Sequence, residues 1–321
     1  MQKAPLIFQP YYKTAIWGGT AIADFKGESL PYGDIGESWE LSAMPGRESV
    51  VSQGLYEGRS LSRLVAEFGD LLLGKGLTEK YGGTFPLLMK FIHARENLSV
   101  QVHPADDLAL ERHNSPGKTE MWYIISAAPG AKIYSGLRRE ITPGEYVRHI
   151  EEGTFFDLVA SYESAPGDAY YLPSGQVHAI GAGNLLAEIQ QPSDITYRIF
   201  DYKRTDAEGR ERTLHTELAL NAIDLRGDAR SRLPLPEEAD GEAILLQCPY
   251  FDVRRLKLSG TRELSPTGEK MLAAMCVDGS LAIACEEGSA ELTAGHTALI
   301  PAVCGNATLT GKATLLLVAP N

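Results

Sequence analysis

The sequence has no hydrophobic run that approaches the roughly 18 apolar residues of a membrane-spanning helix. Its first residues, MQKAPLIFQPYYK, contain neither a long apolar core nor a small-residue cleavage site, so they do not match a secretory signal. We therefore expect a cytoplasmic protein without a membrane partner.

Positive charge is also in short supply. The chain has 30 Lys and Arg residues against 42 Asp and Glu residues, which gives a formal net charge of -12 and an isoelectric point near 5.1. Proteins that bind nucleic acid usually carry a basic face, so this balance argues against a nucleic-acid partner. An anionic metabolite needs only a local cationic pocket and is compatible with the composition.

Cysteine is rare, and it is absent from the first three quarters of the chain. The four cysteines are Cys248, Cys276, Cys285 and Cys304, and none of them forms a C-x-x-C pair. In a reducing compartment this pattern favours buried free thiols over disulfides or a metal site.

Short apolar segments separated by Gly and Pro run through most of the 321 residues and predict a mainly β fold. Helical spacing of apolar residues predicts one clear helix over residues 60–73 and a second around residues 214–223. Residues 232–242, RLPLPEEADGE, have the composition of a linker. We therefore predict a larger domain over residues 1–235 and a smaller one over residues 243–321.

Four polar residues are candidates for a metal site. Gln101 and His103 alternate along a predicted strand and so share one of its faces. His178 follows a strand and a Pro-Gly turn in GDAYYLPSGQVH, and Glu120 follows a Gly-containing loop. Two imidazoles, a carboxylate and an amide oxygen suit a borderline divalent ion such as zinc, so we predict that these four residues bind one.

The insertion before Glu120 is predicted to be a helix that begins near Pro104, because proline suits the first helical turn. Asp106 and Asp107 fall where the helix dipole favours negative charge, so we expect solvated first-turn residues that are not ligands. A Ser-Pro-Gly turn then returns the chain, and Lys118 shares a strand face with Glu120.

The spacing G-x5-P-x-G-x2-H over residues 167–178 resembles the second motif of the cupin β-barrels, whose first motif carries His-x-His and then Glu. Here Gln101 replaces the first His, and an insertion delays Glu120. This departure resembles the type I phosphomannose isomerases. The resemblance rests on the segments IWGGT, GESWELSA, LSVQVHPAD, GKTEMWYI and LPSGQVHAIGAGNLLAEIQQPSDITYRIFDYKR.

The resemblance implies a cupin-type β-barrel, or jelly roll, with a few covering helices and one Zn²⁺ per chain. It also implies a zinc-dependent isomerase that interconverts mannose 6-phosphate and fructose 6-phosphate through an enediol. Its substrate would be a small sugar phosphate, and the chain would be a monomer or a homodimer.

The resemblance extends to individual residues around the predicted metal. Lys118 and Arg198 match active-site residues of the family. Glu188 and Asp194 match its acidic positions, and either could be the catalytic base or could orient it. Ser99 and Lys90 match positions toward the phosphate end of the pocket. Some members have a His immediately before the Lys, where this chain has Gly117, so a mechanism that depends on that His does not apply here.

The end of the chain contains a faint repeat of the cupin motif. Residues 294–306, AGHTALIPAVCGN, align with residues 166–178, and Pro301 then matches Pro173. His178 falls on Asn306 in this alignment, so the repeat has lost its ligand, and His296 is expected in a turn or on the surface. We predict a small degenerate cupin-like β-domain without a metal.

Two other functional classes are compatible with the motifs. A cupin oxygenase that uses iron would keep the barrel, although the neutral Gln101 in place of a His makes it the weaker alternative. A sugar-phosphate-binding protein without catalytic activity would keep the pocket, although it would have no need to retain Lys118, Glu188 and Arg198.

Overall fold

The computed structural model describes residues 1–30, 32–205, 209–227, 231–234, 236, 241–265 and 270–321. Part of the predicted linker, residues 232–242, lies outside the described residues. Strands dominate the described chain, so the prediction of a mainly β fold with a few helices is confirmed. Among these residues no helix combines the length and the apolar character that crossing a membrane requires.

The described strands are numbered in chain order. They are β1 Leu6–Gln9, β2 Tyr11–Gly19, β3 Ile35–Leu41, β4 Val50–Val51, β5 Leu88–Ala94, β6 Val100–Val102, β7 Glu120–Ala127, β8 Lys132–Leu137, β9 Val159–Glu163, β10 Ala169–Leu172, β11 His178–Ile180, β12 Asn184–Gln190, β13 Tyr197–Phe200, β14 Glu242–Gln247, β15 Phe251–Leu264, β16 Leu272–Cys285, β17 Gly288–Thr293, β18 Thr297–Ile300 and β19 Ala307–Pro320.

The α-helices are short. They are α1 Ala21–Lys26, α2 Leu61–Phe68, α3 Asp70–Leu73, α4 Leu77–Lys80, α5 Asp106–His113, α6 Pro143–Glu151 and α7 Thr216–Leu220. Single 3₁₀ turns occur at Phe155–Leu158 and Ala302–Cys304.

The helix predicted over residues 60–73 is two helices, because Gly69 breaks it. Ser60 caps the start, since its hydroxyl accepts a hydrogen bond from the Arg63 amide at 3.3 Å. Gly69 has φ of 47° and ψ of -120°, outside the helical region, so α2 ends before it and α3 begins after it. The apolar spacing continues across this break, which is why the pattern predicted one helix. The second predicted helix, over residues 214–223, is limited to α7.

The described strands form three sheets. The first is a six-stranded sheet with the order β10-β7-β12-β5-β3-β2, and the second is a five-stranded sheet with the order β13-β6-β11-β8-β9. The third has eight strands in the order β14-β15-β19-β16-β18-β1-β4, with β17 paired to β16. These sheets are open and face one another, so the predicted barrel is a sandwich of sheets and not a closed cylinder.

The six-stranded sheet is the middle layer, and alternation along its strands decides what each face contacts. Ile92 and Ile124 pack with Ile133 and Ile180 of the five-stranded sheet. The opposite face, which includes Met89, packs in another core cluster with apolar residues of α2, α3 and the eight-stranded sheet. A third core cluster lies within the eight-stranded sheet itself. The middle sheet is therefore buried on both faces.

The two predicted domains share a sheet. Strands β1 and β4 precede residue 235, yet β1 pairs with β18 through Leu6 and Leu299 and extends the eight-stranded sheet to β4. Helix α1 also contacts the second predicted domain, because buried Lys26 at its end donates a hydrogen bond to the Gly295 carbonyl. The same ammonium forms an ion pair with Glu40 at 2.8 Å. The division at residue 235 thus cuts through continuous packing.

The cysteines lie in this shared region. The prediction of buried thiols holds for Cys276 and Cys304, whereas Cys248 and Cys285 are half-buried. His296 lies in a turn, as expected, and its Nε2 is 2.8 Å from a Glu28 carboxylate oxygen.

Candidate active site

A row of polar and aromatic side chains crosses the middle sheet. Trp39 on β3 is opposite Lys90 on β5, Lys90 is opposite Glu188 on β12, and Glu188 is opposite Trp122 on β7. Directly opposed residues on neighbouring antiparallel strands have adjacent side chains on the same face. The strand register therefore brings residues from distant parts of the sequence together.

A second row crosses the five-stranded sheet. Gln101 on β6 is opposite Arg198 on β13 on one side and opposite His178 on β11 on the other. The two rows face each other, because the Trp122 ring meets the His178 ring edge-on with centroids 5.3 Å apart. Residues predicted separately from the sequence thus meet between two sheets.

A cavity of about 490 Å³ lies between the rows. Most of the predicted site residues line it, namely Lys90, Ser99, Gln101, Lys118, Glu188, Asp194 and Arg198. His103, Glu120 and His178 do not line it, and all three are at most 1% exposed. This volume is within the range of small-molecule sites.

The three buried residues form a compact cluster of potential metal ligands. The Nε2 atoms of His103 and His178 are 3.2 Å apart. The Glu120 carboxylate lies beside both, with its oxygens 3.2 Å from His178 Nε2 and 3.6 Å from His103 Nε2. Within the described part of the chain, this is the group of His, Cys, Asp and Glu side chains that could hold a metal ion.

The backbone fixes the tautomer of both imidazoles. His103 Nδ1 is 2.8 Å from the Ile195 carbonyl oxygen, and His178 Nδ1 is 2.8 Å from that of Gln176. A carbonyl oxygen can only accept, so each Nδ1 carries the hydrogen and each Nε2 keeps a lone pair. Burial and the neighbouring Lys118 lower the pKa of His103 well below its usual range and that of His178 to about 4. Both rings are neutral, as metal ligands must be.

Glu120 also lacks a full complement of partners. Its Oε1 accepts no hydrogen bond from the residues that the structure describes, and its Oε2 is paired with an ammonium. The Lys118 ammonium lies 2.9 Å from Oε2 and offsets part of the charge. Burial and the nearby Glu188 carboxylate nonetheless raise the pKa of Glu120 above its usual range. A buried carboxylate beside two imidazole lone pairs fits a divalent cation, so the donor set agrees with the predicted zinc.

Gln101 is next to this cluster, although its amide nitrogen faces it. The side-chain Nε2 of Gln101 is 3.4 Å from His178 Nε2. A half-turn of the terminal amide would present Oε1 in its place, and an oxygen is what a metal requires. Gln101 is therefore within reach of the cluster.

The two predicted acidic residues have different environments. Glu188 is buried, with one oxygen 2.9 Å from Lys90 Nζ and the other accepting a hydrogen bond from the Trp122 indole at 2.8 Å. Burial would raise the pKa of Glu188, but Lys90 and Lys118 more than offset it and the pKa is lowered. Asp194 is 39% exposed and forms an ion pair with Arg47 near the surface.

Arg198 carries a partly available guanidinium. Its Nη1 donates a hydrogen bond to the Thr213 carbonyl at 2.9 Å, while its buried Nε has no partner among the described residues. Ser99 is buried close to the same strand pair. Lys90, by contrast, is shared between two carboxylates, because Glu37 lies 3.3 Å away in addition to Glu188.

The sequence-based prediction named neither Glu37 nor Trp39 as a site residue. Glu37 receives a hydrogen bond from the Trp39 indole at 2.7 Å and forms ion pairs with Lys90 and Lys13. Trp39 lines the cavity, and its ring lies 4.9 Å from the Lys90 ammonium. The available signal was that Glu37 lies two positions before Trp39 on the same strand, so that both side chains share one face.

Two family models match separate parts of the chain. The family model for the catalytic domain of type I phosphomannose isomerase matches residues 6–121, and the one for the cupin domain of mannose-6-phosphate isomerase matches residues 242–320. The second match agrees with the predicted cupin-like region at the end of the chain.

Individual relatives cover most of the molecule. Mannose-6-phosphate isomerase ManA of Bacillus subtilis is 41% identical over 267 residues, which cover 82% of each chain. The probable mannose-6-phosphate isomerase GmuF of the same organism is 35% identical and covers 98% of this chain and 99% of its own. A solved mannose 6-phosphate isomerase from Bacillus subtilis superimposes with a TM-score of 0.88 at 34% identity, over 98% of this chain and 99% of the other. This chain belongs to the type I phosphomannose isomerases.

Proposed function

We propose that the protein interconverts mannose 6-phosphate and fructose 6-phosphate through an enediol, with one zinc ion per chain. The observation that carries the proposal is the position of the His103–Glu120–His178 cluster. It lies directly behind a cavity that also contains a carboxylate, an ammonium and a guanidinium. The curated relatives are named for mannose 6-phosphate, and such groups can bind a phosphate and move a proton.

The zinc would be held by His103 Nε2, His178 Nε2 and a Glu120 oxygen, with Gln101 supplying its amide oxygen after the half-turn. When bound, zinc would act as a Lewis acid that stabilises negative charge on the sugar oxygens. The fixed tautomers of the two imidazoles support this assignment, because both lone pairs already point into the cluster.

Glu188 is the base in this proposal. An aldose becomes a ketose when a base removes the proton from C2 and returns it to C1. Glu188 lines the cavity and is held ionised by Lys90 and Lys118, so it can accept a proton. Asp194 is engaged by Arg47 and more exposed, which supports a role for it in holding the rim of the cavity.

Lys118 would donate to the sugar oxygen on which negative charge develops, because its ammonium lines the cavity next to Glu120. The phosphate would be bound by Arg198 and Ser99. The Arg198 Nε has no partner in the described part of the chain, and a guanidinium binds phosphate through two parallel hydrogen bonds. We assign Lys90 to holding Glu188, since a phosphate at its ammonium would compete with two carboxylates.

A steady-state assay of purified protein with mannose 6-phosphate and with unphosphorylated mannose tests the proposal. We expect fructose 6-phosphate from the first and negligible turnover of the second. The Arg198→Ala variant should lose most of its activity while keeping its zinc, because Arg198 does not contact the cluster. Arg139→Ala is the control, since Arg139 is exposed and paired with Glu145 at the start of α6.

Two outcomes would contradict the proposal. Zinc-loaded protein that binds mannose 6-phosphate without turning it over would be a binding protein. Iron as the bound metal, together with oxygen uptake, would support an oxygenase. A cytoplasmic location and a monomeric or dimeric state remain predictions.

A further inference from the structure

Asp106, at the start of helix α5, joins three separate segments of the chain. Its Oδ1 accepts hydrogen bonds from the Gly117 amide and from Gln191 Nε2, both at 2.8 Å. Its Oδ2 accepts one from the Tyr250 hydroxyl at 2.7 Å. The sequence predicted a solvated first-turn residue, and Asp106 is indeed exposed, but its carboxylate is fully engaged.

These contacts surround Lys118, whose ammonium lines the cavity. Gln191 accepts a hydrogen bond from the Thr119 amide at 2.8 Å through its side chain and donates its own amide to the Thr119 carbonyl at 3.1 Å. The Lys118 amide donates to the Pro104 carbonyl at 3.2 Å. The backbone on both sides of Lys118 is therefore linked to Asp106. Gly117 is linked directly, and Thr119 is linked through Gln191.

The approach of this segment to α5 is close. A Cβ on Gly117 would lie 2.7 Å from the Asp106 nitrogen and 2.8 Å from the Ala105 carbonyl carbon, both of them backbone atoms. Only glycine leaves room for the backbone to reach Asp106 here. A histidine at position 117, which some family members have, would therefore prevent the close approach that allows the Asp106 contact.

We propose that Asp106 is a positioning residue for Lys118, and that Tyr250 connects this arrangement to the eight-stranded sheet. Tyr250 lies in the turn between β14 and β15. The inference rests on the proposed function, in which the Lys118 ammonium faces the developing charge. The eight-stranded sheet would then contribute to catalysis, because Tyr250 in its β14–β15 turn is one of the three partners of Asp106.

Three variants separate the contacts of Asp106 from its charge. Asp106→Ala removes every side-chain contact. Asp106→Asn keeps Oδ1 as an acceptor for Gly117 and Gln191 and can donate from Nδ2 to the Tyr250 oxygen. Asp107→Ala is the matched control, because Asp107 is in the same helical turn and its carboxylate contacts only the next amide among the described residues, that of Leu108 at 2.8 Å.

Two readouts follow each variant. The first is the kinetics with mannose 6-phosphate, where a misplaced Lys118 lowers kcat and leaves KM nearly unchanged. We expect kcat of Asp106→Ala to fall by about tenfold, since small misplacements of catalytic groups are costly. The second is amide hydrogen exchange of the peptide around residues 117–119, followed by mass spectrometry, which needs no turnover.

In Asp106→Ala the exchange at residues 117–119 should accelerate, whereas Asp106→Asn and Asp107→Ala should behave as the wild type in both readouts. Tyr250→Phe should give a smaller decrease in kcat than Asp106→Ala. Wild-type kcat and exchange in Asp106→Ala would overturn the inference, as would equal losses in Asp106→Ala and Asp107→Ala. Failure of the wild type to turn over the substrate would reject the proposed function, and the exchange data would still decide the role of Asp106.

Discussion

The Nε2 atoms of His103 and His178 lie 3.2 Å apart, and each ring donates its Nδ1 hydrogen to a backbone carbonyl. Two lone pairs therefore face each other in a buried space beside the Glu120 carboxylate. The Lys118 ammonium lies 3.1 Å from His103 Nε2 and the Gln101 amide nitrogen lies 3.4 Å from His178 Nε2, and a divalent cation would bind both lone pairs at once. The folded backbone thus holds a donor set that a divalent cation would complete.

The first prediction concerns metal content. Replacing His178 with Ala should abolish tight zinc binding, and the loss of affinity should exceed the roughly 10- to 100-fold that removal of an outer partner costs. Zinc per chain after exhaustive dialysis is the measurement. His113→Ala is the control, because His113 is exposed on α5 and contacts Tyr197. Equal zinc in both variants would contradict the proposed ligand set.

The second prediction decides between the two acidic residues. Glu188→Gln keeps the shape of the side chain and removes the base, so kcat should fall by about 100-fold or more. Asp194→Asn only weakens an exposed ion pair with Arg47, so kcat should change by less than about threefold. Steady-state kinetics of the two variants is the measurement. The reverse order of effects would assign the base to Asp194.

Much of the site could be predicted because it depends on short-range spacing. Gln101 and His103 share a strand face, and the Pro-Gly turn before His178 is a local signal. Resemblance to the family then supplied Lys118, Glu188 and Arg198, which line one cavity.

Other features depend on strand register and on packing between distant segments, which one sequence does not encode locally. Glu37 contacts Lys90 because β3 and β5 are neighbours in a particular register. Strand β1 lies in the eight-stranded sheet, far along the chain from its partner β18. The break at Gly69 was hidden because the apolar spacing continues on both sides of it.

The third prediction concerns the pH dependence of stability. Burial would raise the pKa of Glu37, but Lys90 and Lys13 more than offset it, so the pKa lies below its usual range. A lowered pKa stabilises the fold at pH values above the unfolded carboxyl pKa of about 4.3, and this contribution is lost as the pH falls through the folded-state value. Glu37→Gln should therefore cost about 3 kcal/mol at pH 7, in keeping with a broken buried pair.

The difference in unfolding free energy between wild type and Glu37→Gln should shrink below about pH 4. There the unfolded carboxyl takes up a proton while the folded one stays ionised. Urea unfolding at a series of pH values measures it. Glu96→Gln is the control, since Glu96 is exposed and its contact with Arg95 is 3.5 Å long. A difference that stays constant down to pH 3 would show that Glu37 does not contribute through its charge.

The fourth prediction concerns Gly117. An alanine there places its Cβ against the backbone of residues 105 and 106, so we expect a loss of about 1–3 kcal/mol of stability, as in overpacked cores. Activity should fall with it, because Lys118 is the next residue. Gly144→Ala is the control. Its Cβ would contact only Thr142 Oγ1, at 3.9 Å, so this helical substitution should stabilise α6. Unchanged stability of Gly117→Ala would mean that the segment can move away from α5.

The central claim is that a zinc ion at His103, Glu120 and His178 serves an isomerase site in the adjacent cavity. The most direct measurement follows fructose 6-phosphate formation from mannose 6-phosphate before chelation, after chelation and after zinc is added back. We predict that activity disappears with the chelator and returns with about one equivalent of zinc per chain, the stoichiometry of a single tetrahedral site. Full activity in protein shown to be free of metal would contradict the account.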